Sequence, residues 1–491
     1  MGMDEGTTGD DAGDRPLPLS GLRVVEFGYG VAAPTCCRNL AHFGAEVVKV
    51  ESARRPDSLR QSGSGWLPLD VDWKLWRDTG LLFQFTSSQK RSLGLEIDRP
   101  AGRQALERLV AATDVLAMNM SIEAVDHLGL TYADMRALNP RLIWINMPSF
   151  GSADGPYRGF RTWGRNIAAM SGLSRLVGWP DRDPVGMSVN IPDYLAGLWA
   201  TIGIVAALSR RDQTGEGCEL DLSQFQAALA CIGPTMMDAQ LGGDGLGTLG
   251  NRSPGRAPQG VYPTRDDDRW VAVSVRDEAM WRALCGVDGL DALAADPRFG
   301  TIEDRLANQD ALDDAIAAWT ATRTRQDAAA ALQAAGVAAS AVYDNWDVLS
   351  DPQLQDRRQF RLVPHPRFGK ELVYGQAIAL SDTPAAIDRA APAFGQDTRQ
   401  VLEEVAGLDP AAVDAALADG TAHEMAYADV HLERPFLHWV KTVLPLDWPK
   451  ATAVDPAAIL FDQLKQWHAG IEAGSTDAGG TGAGAGEEVA S

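Results

Sequence analysis

The chain has 491 residues, 45% of them hydrophobic and 22% charged, a composition of folded domains that argues against a disordered or low-complexity protein. Its formal net charge is −22, which argues against generic binding to nucleic acid or to anionic membrane. Anionic small molecules remain open as ligands, because a local group of basic residues can hold a phosphate.

Residues 1–17, MGMDEGTTGDDAGDRPL, are acidic and Gly-rich and are expected to be disordered. The chain then alternates short β-rich runs with helical spacing. Leu22–Phe27 reads as a strand ending at Gly28, and Pro34–Phe43 as a helix stopped by Gly44. Glu46–Val50 is a second buried strand, Ala101–Ala112 an amphipathic helix, and Asp114–Met118 a further strand. Another helix precedes Asn139-Pro140, and Arg141–Asn146 is again a strand. Such alternation predicts an α/β fold with a parallel sheet wrapped by helices.

The longest apolar run, Tyr194–Leu208, falls short of the ~20 residues a bilayer needs. It reads as a core helix apolar all round, so no membrane association is expected. After about residue 225 the pattern changes to a Pro/Gly-rich stretch from Asn251, a strand at Arg269–Val275, and Ala/Leu-rich helices at Asp310–Thr322 and Arg325–Ala335. This predicts a smaller α+β domain over 226–345. A strand returns near Val337–Tyr343, extended segments lie within Arg357–Leu380, and Thr398–Val405 and Pro410–Leu417 read as short helices. The final residues, 474–491, read as a flexible tail.

The five cysteines form no CxxC pair and no Cys/His group with metal-ligand spacing, so no metal is expected. Few cysteines and no signal-peptide pattern predict a reducing, cytoplasmic setting. Adjacent Cys36 and Cys37 read as helix packing.

Gly28-Tyr29-Gly30-Val31-Ala32-Ala33 fits G-x-G-x-x-A between a strand and a helix, and Glu51 ends the next strand where a ribose-binding acid would stand. Three readings follow: a tight turn that binds nothing, a site for a CoA-type ligand bearing ADP, and an NAD site. The motif does not separate the last two, because both ligands carry ADP.

The segment PLSGLRVVEFGYGVAAPTCCRNLAHFGAEVVKVES resembles the opening of class III CoA-transferases, a family whose fold is shared by α-methylacyl-CoA racemase. Further matches follow in order: Lys90–Leu95, Asn119 with Leu128-Gly129-Leu130, Leu138–Ile143, Phe150-Gly151 through Gly155-Pro156-Tyr157, Ala206–Gly217, and Pro392–Thr398. Within the last, Phe394 stands where the family has Leu and Gln396 where it has Glu. The resemblance covers roughly 18–420; the stretch 421–473 has no counterpart in it.

The resemblance implies a Rossmann-like large domain from 18–225 and 346–420, a small domain between them, and an interlocked, ring-like homodimer. It implies coenzyme A as a substrate and an active site between the large domain of one chain and the small domain of the other. Counting back from Thr214-Gly215-Glu216-Gly217, the family nucleophile falls on Asp193, at the start of an apolar helix. Pro192 and Asp193 also suit a helix N-terminus, which stabilises a carboxylate, so a plain cap stands beside the catalytic reading.

The family's CoA-contacting positions fall on Tyr29, Gly30, Val31, Ser52, Leu95, Asn119, Met120 and His127. A family Arg becomes Ser52, with Arg54, Arg55 and Arg60 nearby as possible phosphate ligands, and a family Lys becomes Asp98. The glycine-rich active-site loop corresponds to Ser253–Gly260. The implied activity moves CoA from an acyl-CoA to a free carboxylic acid through an aspartyl-CoA thioester. Two alternatives are an acyl-CoA racemase, which needs a His absent from Trp163–Ile167, and a non-catalytic CoA-binding subunit. Trp163, Trp179 and Trp199 flank Asp193 in sequence; they read as core residues ahead of the alternative, a hint of a bulky or aromatic acid substrate.

Overall fold

The computed structural model describes residues 16–60, 78, 80–243, 247–366 and 369–425. The tail before residue 16, the final tail and the segment from 426 onward lie outside the described residues. Two compact units emerge. One comprises the chain to Ser171, Ser188–Cys231 and the chain from Leu349; the other comprises Gly172–Met187 and Ile232–Val348. Residues 172–187 thus group with the middle of the chain, whereas the sequence reading keeps them with 18–225.

The first unit opens with strands β1 (Arg23–Phe27), β2 (Glu46–Glu51), β3 (Lys90–Leu95), β4 (Val115–Met118), β5 (Ile143–Asn146) and β6 (Cys218–Asp221). Strands β7 (Gln259–Pro263), β8 (Trp270–Ser274) and β9 (Ala338–Ala341) belong to the second unit. The chain then returns with β10 (Phe360–His365), β11 (Gly369–Tyr374) and β12 (Ala422–His423).

The main sheet has the order β12-β3-β2-β1-β4-β5-β6. All its pairs are parallel except β12, which lies antiparallel on β3. Alternating side chains feed two cores, as period 2 requires. Val25, Val48, Leu116 and Met118 point into one core, while Val24, Val47, Val115 and Ala117 point into the other. The order reverses between β1 and β4. In open α/β sheets a crevice opens outside the carboxyl ends of the strands at such a point.

The helices that carry or adjoin the candidate site residues are α1 (Ala32–His42), α2 (Ile122–His127), α3 (Gly164–Met170) and α4 (Ile191–Thr214). Helix α4 is not buried all round. Ala196, Gly197, Ala200 and Ile204 pack into the core, whereas Leu198, Trp199, Ile202 and Val205 on the other face are exposed. A helix lying on one side of a sheet can bury only one stripe. By length and composition α4 could cross a membrane, with 33% of its apolar window packed inside this structure. Trp163, Trp179 and Trp199 are 76%, 48% and 49% exposed, so all three lie at the surface of their units and not in the core.

The second unit is built on the antiparallel sheet β7-β8-β9. Its own core includes Val271, Val273, Leu284, Leu312, Ile316 and Leu332. The Ser253–Gly260 loop lies in this unit and runs into β7.

Candidate active site

Helix α4 begins with Ile191, Pro192 and Asp193 after Asn190 as its N-cap. Proline suits this place because the first helical N–H groups have no intrahelical partner. Asp193 is therefore in the first turn and is not the cap. The backbone N–H of Asp193 donates to the Asn190 carbonyl at 3.1 Å. The Asn190 side chain makes no capping bond.

The Asp193 carboxylate lies against Gly164, the first residue of α3. A Cβ on Gly164 would stand 1.9 Å from Asp193 Oδ2 and 3.0 Å from Asn190 Cβ. Only glycine lets the carboxylate sit there. Among the described residues, neither Oδ2 of Asp193 nor Oδ1 of Asn190 has a hydrogen-bond partner, and both atoms are buried. Burial pushes the Asp193 carboxyl up to about 6. A buried carboxylate oxygen lacking a partner is costly to fold around, and such groups cluster at sites of chemistry.

The start of α4 is fixed to the β1–α1 turn. A Cβ on Gly197 would come 2.8 Å from the Ala32 carbonyl and 2.9 Å from Thr35 Cβ, so α4 and α1 touch almost backbone to backbone. Tyr194 packs on a small cluster that holds Val31, Leu59 and Phe83. The nucleophile candidate and the turn therefore belong to one packed group.

The turn is held from beneath by buried charge. Lys49 Nζ donates to the Gly28 carbonyl at 2.5 Å and pairs with Glu26 and Asp57, each at 3.0 Å. Lys90 pairs with the other oxygen of Glu26 at 2.7 Å. Burial opposes the charge on Lys49, but Glu26, Asp57 and Glu51 outweigh it and hold the ammonium above its ordinary pKa. Gly30 has φ +68°, and its N–H donates to Asp57 Oδ1 at 3.2 Å. The Tyr29 N–H donates to Asn119 Oδ1 at 2.8 Å, and Asn119 Nδ2 donates back to the Tyr29 carbonyl at 2.7 Å.

This geometry bears against a dinucleotide cradle at the G-x-G-x-x-A run. A phosphate cradle needs free N–H groups. Here those of Tyr29 and Gly30 are taken, the second by a carboxylate that would repel a pyrophosphate. Glu51 does not await a ribose. It is fully buried and paired with Arg60 at 2.5 Å, and despite burial Arg60 and Lys49 hold it down to about 2.

The structure brings together Tyr29, Gly30, Val31, Asn119 and Met120 at the carboxyl ends of β1 and β4. Met120 is tied to Asn146 at the end of β5 by two bonds of 3.1 Å. The other three expected contacts, Ser52, Leu95 and His127, follow β2, end β3 and end α2. Ser52 Oγ donates to Glu96 at 2.7 Å beyond β2, Leu95 is a core side chain, and His127 is exposed at the last turn of α2.

Among the arginines, Arg60 is fully buried between Glu51 and Asp78, which removes it as a phosphate ligand. Arg54 is engaged by Glu96 and by Asp98, at 2.7 and 2.6 Å. Arg55 is exposed at the turn after β2, close enough to Tyr29 to act on it electrostatically. Sequence reasoning did not find Gly164, Asn190, Lys49 or Asp57, and no short pattern announces them.

A family model described as CoA-transferase family III matches residues 19–398. The chain is 33% identical over 393 residues to a succinyl-CoA–D-citramalate CoA-transferase of Chloroflexus aurantiacus, covering 80% of this chain and 95% of the relative. It is 29% identical over 400 residues to a succinate–glutarate CoA-transferase of Agrobacterium fabrum, covering 81% and 98%. A solved CAIB/BAIF family protein from Brucella suis has a TM-score of 0.71 at 29% identity, covering 80% of this chain and 100% of its own.

Proposed function

The chain belongs to CoA-transferase family III and is an enzyme of that class, and from this premise we propose that Asp193 is the nucleophile that carries CoA from an acyl-CoA to a free carboxylic acid. The observation that carries this reading is the Asp193 carboxylate itself: half-buried, with Oδ2 buried and unpartnered among the described residues, seated against a glycine, and raised to about 6. Desolvation leaves such a carboxylate more reactive than one solvated in water, yet it is still largely ionised at neutral pH.

The Asp193 oxygen attacks the thioester carbon, a C–O bond forms, the C–S bond breaks, and CoA thiolate leaves. The thiolate then attacks the Asp193 side-chain carbonyl of the anhydride and expels the first acid as a carboxylate. This leaves CoA on Asp193 as a thioester. The acceptor carboxylate runs the two steps in reverse. Charge is conserved throughout, so the cycle needs no proton donor.

The β1–α1 turn, with the Tyr29 and Gly30 amides occupied, suits the uncharged pantetheine arm. Exposed Arg55 is the cation of choice for a phosphate. The chemistry of the relatives' substrates points to acceptors with two carboxylates, since citramalate, succinate and glutarate are all such acids. Arg165, exposed and next to Gly164, would serve the second carboxylate. The exposed apolar face of α4 supports an interlocked homodimer. The five free cysteines agree with a cytoplasmic setting.

A racemase reading is disfavoured because Trp163–Ile167, the stretch that opens α3 beside Asp193, holds no His to serve as the second acid/base group. The test is product analysis by mass spectrometry, with succinyl-CoA offered to citramalate, glutarate and other acids. New CoA thioesters should form with the wild type and not with Asp193→Ala.

A further inference from the structure

Asn190 sits where an asparagine ordinarily caps a helix, yet its side chain makes no capping bond. The side chain is turned toward α3 instead. A Cβ on Gly164 would meet Asn190 Cβ at 3.0 Å and Asn190 Cγ at 3.2 Å, on the same glycine that receives Asp193 Oδ2. Two side chains therefore converge on one small residue, and each holds a buried oxygen without a partner. Buried polar atoms in native proteins are generally satisfied, so two orphans side by side mark a place prepared for another group.

The amide has a use that the carboxylate lacks. Its oxygen and nitrogen ends occupy nearly the same space, and a half-turn about Cβ–Cγ puts N–H donors where the orphan oxygen lies. In the proposed cycle negative charge develops on an oxygen of the Asp193 side chain itself. This happens when thiolate attacks the anhydride, and again when the acceptor's anhydride is formed from the thioester. Ionised Asp193 has no need of a further acceptor beside it. As an acyl group under attack, its oxygen needs a donor.

We propose that Asn190 is a further catalytic residue, whose side-chain amide donates a hydrogen bond to the oxyanion that forms on the Asp193 acyl carbon. This rests on Asp193 being the nucleophile. The bonds made and broken are those of the cycle above: C–S forms as the tetrahedral centre is made, and C–O breaks as it collapses. Asn190 neither gains nor loses a proton. The pair also explains why α3 begins with glycine, because any side chain there would displace both groups.

The test is kinetic and uses the full chain with the acyl-CoA and acid that the wild type turns over fastest. Asn190→Ala removes the donor, and Asn190→Asp keeps the size but places a charge where a donor is needed. Each should lower kcat about 100-fold, with both KM values within threefold, because the lost interaction is made only in the transition state. Formation of the CoA adduct in a single turnover should slow by the same factor. Circular dichroism and melting temperature check folding. Wild-type kcat in both variants overturns the proposal, as does a raised KM with unchanged kcat. Asp193→Ala, run alongside, separates the two levels. If it stays active the nucleophile assignment fails; if it is dead while Asn190→Ala is unimpaired, only the role of Asn190 fails.

Discussion

Gly164 and Asp193 are in contact across α3 and α4: a methyl group on Gly164 would stand 1.9 Å from Asp193 Oδ2. Gly164→Ala must therefore move the carboxylate or the start of α3. A displacement of about 1 Å from the attacking geometry can slow a reaction roughly 100-fold. The expected result is a folded protein with kcat reduced by about that factor. Circular dichroism and steady-state kinetics on the same preparation check both halves.

The raised pKa of Asp193 has consequences for activity and for stability. In the proposed cycle Asp193 attacks in its ionised form, so kcat/KM should rise with pH through a single ionisation near 6 and then level. For stability the sign is opposite. An acid whose folded pKa exceeds its unfolded value of 3.8 stabilises the fold fully below about pH 4, and that contribution is lost as pH rises through about 6. Asp193→Asn should thus be more stable than wild type at pH 7.5, by on the order of 2 kcal/mol, with the difference vanishing near pH 4. Urea denaturation at both pH values measures it.

The charged layer under the β1–α1 turn gives a second stability test. Lys49 is fully buried and shared by Glu26, Asp57 and the Gly28 carbonyl. Lys49→Met leaves two buried carboxylates with less countercharge. Breaking a buried pair on one side typically costs about 3–5 kcal/mol. Urea denaturation at pH 7.5 should show a loss of that order.

Much of the first unit was legible in the sequence because β1, β2, β4 and β5 are apolar runs with the composition of buried strands. Strand β3 was legible only as a family match. It opens with Lys90 and Arg91, and Lys90 is buried because Glu26, distant in sequence, neutralises it. Arg60 failed as a phosphate ligand for the same reason: its partners Glu51 and Asp78 are set by the fold. Asp193 could be located by counting back from a glycine turn. Its setting could not, since its carboxylate lies against a glycine 29 positions away in the chain. The exposed face of α4 was misjudged because Leu, Trp and Ile on a surface read like core.

The occupied amides at Tyr29 and Gly30 and the pairing of Glu51 with Arg60 argue against an NAD site. Calorimetry should show CoA binding and no NAD binding. Arg55→Gln should weaken CoA about tenfold while changing the affinity for pantetheine little. Tight NAD binding would contradict this assignment.

The most direct test of the whole account is the covalent intermediate. The enzyme is incubated with an acyl-CoA that it turns over, in the absence of acceptor acid, then digested and analysed by mass spectrometry. The expected result is CoA attached through a thioester to the peptide containing Asp193, released by hydroxylamine with conversion of that aspartate to a hydroxamate. A racemase carboxylate only moves protons and forms no such adduct, and a binding subunit loses CoA on denaturation. Absence of any hydroxylamine-sensitive adduct on that peptide, with a substrate shown to turn over, would contradict the account.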